Sequence, residues 1–131
     1  MIPINTLLLI DDDTTLNFLH TKLIERARFA QKVIAMNYAN IALDELKKLL
    51  YTTPDELPEI IVLDLNMPYM DGWEFLNEFK KFPEIVQQKC KIFILTSSIN
   101  PNDIEKSKSY KVVQGFISKP LTTLKLMSLI D

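Results

Sequence analysis

Glycine is nearly missing from this chain: Gly72 and Gly115 are its only two. A glycine-rich loop that wraps a phosphate after the first strand therefore has no material to be built from. Cysteine is rarer still. Cys90 stands alone in an apolar context, which excludes a disulfide framework, predicts a small buried hydrophobe, and points to a reducing, cytoplasmic location. No excess of positive charge exists either, with 15 Lys and Arg against 17 Asp and Glu. Direct binding to nucleic acid is not expected from such a balance. No apolar run approaches the roughly 20 residues that span a bilayer, and no basic segment precedes a long apolar one, so neither a membrane segment nor a signal peptide is expected. Repeats, low-complexity tracts and linkers are missing too, and 131 residues suit one domain spanning 1–131. The one histidine, His20, falls between Leu19 and Thr21 on a helical pattern and reads as a surface or partly buried residue, not a phosphate relay.

What the chain does have is an alternation of short apolar runs with longer amphipathic segments. The runs are residues 7–10, 33–36, 60–63, 92–95 and 112–117. All but the last are too continuous for burial on one face and read as strands covered on both sides, as in a parallel sheet. Between them, Leu16, Leu19, Leu23 and Ala27 recur at helical spacing, as do Ala42, Leu46 and Leu49, then Trp73, Leu76 and Phe79. Trp73 and Phe75 read as core and rim of that third helix. Residues 101–110 form a weaker helical pattern anchored on Ile104, and residues 121–130 offer Leu124, Met127 and Ile130. Residues 50–59 read as a long loop. The pattern predicts five β–α units: a single-domain α/β fold with a five-stranded parallel sheet between helical layers.

That architecture gives meaning to the stretch "TLLLIDDDTT", where an apolar run meets Asp11, Asp12 and Asp13. Ligands of open α/β sheets bind at the carboxyl ends of the strands. The third run closes on Asp64 and leads into Asn66, Pro68 and the turn pair Asp71-Gly72. The fourth ends on Thr96 and Ser97, and the fifth on Lys119 before Pro120. Carboxylates from two strand ends make an all-oxygen site suited to Mg²⁺. A lysine and a hydroxyl opposite them suit the oxygens of an incoming phosphoryl group. Without a cation the carboxylates repel, so the cluster should hold at least one proton more tightly than a free peptide does.

These motifs, "LLLIDDD", "VLDLNMPYMDG", "ILTSS" and "GFISKPL", occur in an order and spacing that resemble the receiver domain of response regulators in two-component signalling, along essentially the whole chain. The resemblance implies a stand-alone flavodoxin-like receiver with strand order 2-1-3-4-5. It implies that Asp64 is the phosphoacceptor, that Asp12 binds Mg²⁺ (or Mn²⁺) directly and Asp11 through water, and that Asn66 lends its backbone carbonyl to the metal. Thr96 would bond the phosphoryl group and move toward it, Lys119 would pair with a phosphoryl oxygen, and Phe116 would be the switch aromatic. Ser97 would leave room for the donor, and Pro120 matches a position commonly cis. Asp13 falls outside this set and reads as the cap of the first helix. The implied partners are a sensor histidine kinase or a histidine phosphotransfer protein, and a downstream protein target. A homodimer is left open. The implied role is that of a self-modifying phosphoacceptor that loses its phosphate in place, not of a turnover enzyme.

Three other readings compete. A receiver that is never phosphorylated would serve as a docking or dimerising scaffold. A flavin carrier of the same fold would need the glycine-bearing loop that three aspartates replace. A phosphatase of the haloacid-dehalogenase type shares the two-residue spacing of Asp11 and Asp13, but its capping insertion and later acidic pair are not visible.

Overall fold

The computed structural model describes residues 2–130. Five parallel strands form one sheet: β1 (Ile4–Ile10), β2 (Ala30–Met36), β3 (Ile60–Asp64), β4 (Lys91–Thr96) and β5 (Val113–Ser118). Their order is β2-β1-β3-β4-β5, so the chain turns back at β1 and fills the sheet in both directions from there. This is the flavodoxin-like three-layer arrangement expected from the resemblance. Strand β2 departs from the expectation of two-sided burial. As an edge strand it is half-exposed, and Ala35 faces solvent.

Among the described residues six helices, not five, cover the sheet: α1 (Thr14–Arg26), α2 (Ala39–Thr52), α3 (Gly72–Phe79), α4 (Glu84–Lys89), α5 (Pro101–Ser107) and α6 (Thr123–Met127). The additional one, α4, is a short helix after Pro83 that buries Val86 alone, too little apolar periodicity to announce itself. The expected long loop at residues 50–59 contains the end of α2 and a 3-10 turn, Pro54–Glu56.

Strand side chains alternate between two cores. Leu8, Ile10, Ile61, Leu63, Ile92 and Ile94 point to one face, where they meet Leu46 of α2 and Phe75 and Phe79 of α3. Leu7, Leu9, Val62, Leu95 and Ile117 point to the other, where they meet Ile24 of α1 and Leu126 of α6. Burial of these continuous runs is the main force holding the sheet.

Several helix faces are rotated from the expected phase. On α1 the buried residues are Asn17, His20 and Ile24, while Leu19 is 55% exposed. His20 is thus interior, because its ring nitrogen and the Asn17 amide find backbone partners there. At the C-terminus Leu121, Leu126 and Leu129 are buried, and Leu124, Met127 and Ile130 face out. A helix of five residues followed by a 3-10 turn has too few turns to reveal its phase. Helix α5 ends at Ser107. Its inward residue is Ser107, followed by buried Tyr110, while Ile104 is exposed. On α3 the order of Trp73 and Phe75 is reversed: Phe75 is fully buried and Trp73 lies at the rim. There Lys106 Nζ sits 4.5 Å over the Trp73 ring, and Tyr110, 6.0 Å from it, donates its hydroxyl to Asn77 at 2.6 Å. No helix among the described residues is long and apolar enough to cross a membrane.

Candidate functional site

The carboxyl ends of β1, β3, β4 and β5 meet at one rim. Parallel register fixes this, since Ile10 pairs with Leu63, Asp64 with Leu95 and Thr96 with Ser118. A register shift between Ile92 and Phe93 readjusts β5 against β4. Lys119 N then donates to Thr96 O at 2.8 Å, starting the loop that aims the lysine inward. The Lys119-Pro120 bond is cis.

Asp11 and Asp64 are 2% and 5% exposed, whereas Asp12 is exposed at the mouth. Lys119 Nζ lies 2.9 Å from Asp11 Oδ2 and 3.5 Å from Asp64 Oδ2. Asp13 caps α1, accepting from Leu16 N at 3.0 Å, and its own N–H donates to Asp11 Oδ1 at 3.0 Å. Asp13 is therefore the expected helix cap, while Asp11 and Asp12 stand at the rim with Asp64. Asp71 caps α3 in a reciprocal box with Glu74. Behind Asp64, Gly72 N donates to Leu65 O at 2.9 Å. A Cβ on Gly72 would stand 2.8 Å from both Asp64 O and Leu65 Cα, so only glycine fits there.

Thr96 is buried, but its hydroxyl is engaged with Ser98, donating to the carbonyl at 3.2 Å and accepting from the amide at 3.4 Å. Asn66 donates its backbone N–H to Asp64 Oδ1 at 3.4 Å and leaves its side chain exposed. Phe116 on β5 is half-buried against the α2–α3 core.

Burial drives the Asp64 pKa up to about 6, helped by the Asp11 charge and opposed by Lys119. Burial works against the Lys119 ammonium, but its hydrogen bond and charge contacts with Asp11 and Asp64 win and raise its pKa. Cys90, far from this chemistry in the core, is pushed up to about 12 by burial, which makes it inert.

Carboxylate oxygens of Asp11, Asp12 and Asp64 lie within 4.8 Å of one another. All are hard oxygen donors, as a small divalent cation needs. Asp11 Oδ2 is buried, and its one close partner is the Lys119 ammonium 2.9 Å away. The residues present fit a Mg²⁺-type ion.

Two contributors escape a motif reading. Asn17 Nδ2 donates to Asp11 O at 2.8 Å and to Asn37 Oδ1 at 3.0 Å, tying the ends of β1 and β2 to α1. Lys125 Nζ donates to Ser118 O, Ser118 Oγ and Pro120 O at 2.9, 3.0 and 3.2 Å, bracketing the lysine loop. The available signal was weak: a polar residue on the inward side of each helix.

A doubly wound sheet with acidic, hydroxyl and lysine side chains at one rim defines the class of protein. The chain belongs to the response regulator receiver domain family of two-component signalling, whose sequence profile matches residues 7–131. A two-component response regulator from Cytophaga hutchinsonii is 34% identical and superposes with a TM-score of 0.88, covering 97% of this chain and 94% of that one. Response regulator Rcp1 of Synechocystis is 26% identical over 95% of this chain and 94% of its own. The probable methanogenesis regulatory protein FilR2 of Methanothrix harundinacea is 28% identical over 88% of this chain and 72% of its own.

Proposed function

We propose that this receiver domain takes a phosphoryl group onto Asp64 from a phosphohistidine on a sensor kinase or phosphotransfer protein, and that the modified form controls a protein target. The observation that supports this most is the convergence of Lys119 on carboxylates from two strand ends, 2.9 Å from Asp11 and 3.5 Å from Asp64.

An Asp64 oxygen attacks phosphorus in line, the bond from phosphorus to the donor imidazole breaks, and its electron pair leaves on that imidazole. Asp64 must be ionised to attack, so a pKa of about 6 leaves it competent at neutral pH. Lys119 swings its ammonium onto a phosphoryl oxygen and offsets the charge that has been added. Asp12, Asp64 and the Asn66 backbone carbonyl would hold a Mg²⁺ or Mn²⁺ ion directly and Asp11 would hold it through water, and such an ion would supply further positive charge beside the phosphoryl group. Thr96 gives up Ser98 and turns its hydroxyl to the new group. Phe116, the switch aromatic implied by the resemblance, would repack in response and couple the site to the β5 surface. Phe116 has no hydroxyl, so ring packing alone carries the signal. The acyl phosphate then hydrolyses in place, which makes the protein its own substrate.

Intact-mass measurement after incubation with acetyl phosphate and Mg²⁺ tests this reading. The expected result is a gain of roughly 80 Da, one phosphoryl group, lost in Asp64→Asn and lost in EDTA. No gain in the wild type would overturn it in favour of an unphosphorylated docking scaffold.

A further inference from the structure

The loop that carries the lysine is gripped from the opposite end of the chain. His20, on α1, is only 3% exposed. Its Nε2 accepts the backbone N–H of Leu121 at 3.0 Å, across 101 residues of sequence. Leu121 follows Lys119 by two residues, and its side chain is buried between the sheet and the α1/α6 layer. A ring nitrogen that accepts an N–H carries no proton, so this imidazole is neutral with its hydrogen on Nδ1. Burial favours the same neutral form, with Lys119 adding to it and Asp11 and Asp13 opposing it.

One turn earlier on the same helix face, Asn17 grips the Asp11 carbonyl. Helix α1 thus holds the backbone on both sides of the Asp11–Lys119 ion pair through two buried polar side chains. Packing alone does not call for them, since apolar residues would fill this face at no desolvation cost. Removing the His20 acceptor would also leave a buried Leu121 N–H unpaired.

We infer that His20 is a positioning residue for phosphoryl transfer, its Nε2 hydrogen bond to Leu121 setting where the Lys119 ammonium stands relative to Asp11 and Asp64. This rests on the phosphoacceptor reading above. Neither ring nitrogen touches the reacting atoms, so the effect is transmitted through two residues of backbone.

Rates of mass gain with acetyl phosphate should sort three variants against wild type. Glutamine places an amide oxygen where Nε2 stands, so His20→Gln should phosphorylate within about twofold of wild type. His20→Leu offers no acceptor and should be slower by about tenfold, the equivalent of one lost hydrogen bond. His20→Asn keeps polarity but is too short to reach Leu121, and it should be slow as well. Its rate decides the matter if the leucine variant does not fold. Equal rates in all variants, or a glutamine variant as slow as asparagine, would overturn the inference. Should wild type itself gain no mass, the phosphoacceptor reading falls. The brace is then judged by nitrogen NMR of His20, where an Nδ1–H tautomer upholds it and an Nε2–H tautomer overturns it.

Discussion

Single residues carry most of the consequences of this site. Asp64 has a folded-state pKa near 6 against an ordinary 3.8. Between those values the folded protein binds the extra proton and the unfolded chain does not. Its contribution to stability is therefore fully present below about 3.8 and is lost as pH rises through about 6. Chemical denaturation of metal-free protein at pH 4 to 7 should show this decline superimposed on other titrations, and Asp64→Asn should flatten it. At pH 7 that same substitution removes a buried charge beside Asp11. It should raise the metal-free melting midpoint by about 2–4 °C for each kcal/mol gained. Gly72 works by absence. Gly72→Ala drives a methyl into Asp64 O and Leu65 Cα, so it should cost about 1–3 kcal/mol, measured by urea unfolding, and slow the proposed phosphorylation by shifting the Asp64 backbone.

At the scale of elements, legibility followed physical regularity. Strands β1, β3 and β4 were readable because two-sided burial demands unbroken apolar runs, and their terminal Asp11, Asp64 and Thr96 were readable because such runs end abruptly. Helix α1 was misphased because its inward face contains Asn17 and His20, polar residues whose partners lie on β1, β2 and the β5–α6 loop, at sequence distances no periodicity can show. Helices α4 and α6 are too short for a pattern. A pair of substitutions checks the corrected phase of α6. Leu126→Ala, from a fully buried position, should cost about 2–5 kcal/mol. Leu124→Ser, 84% exposed, should stay within about 0.5 kcal/mol of wild type.

For the whole molecule, the acidic rim keeps an electrostatic cost that Lys119 offsets only in part and that a bound cation would reduce further. Mg²⁺ at ten to a hundred times its dissociation constant should stabilise the fold by about 1–3 kcal/mol. Calorimetric scans with and without EDTA would show it, and Asp12→Ala should shrink the difference. Tryptophan occurs once in this protein, on α3, with the Lys106 ammonium of α5 resting on its ring. An indole's emission responds to a cation at that distance. The molecule therefore comes with its own optical gauge: sliding of α5 should change the brightness of a single fluorophore, and a stopped-flow trace after adding acetyl phosphate would time the proposed switch without an attached dye.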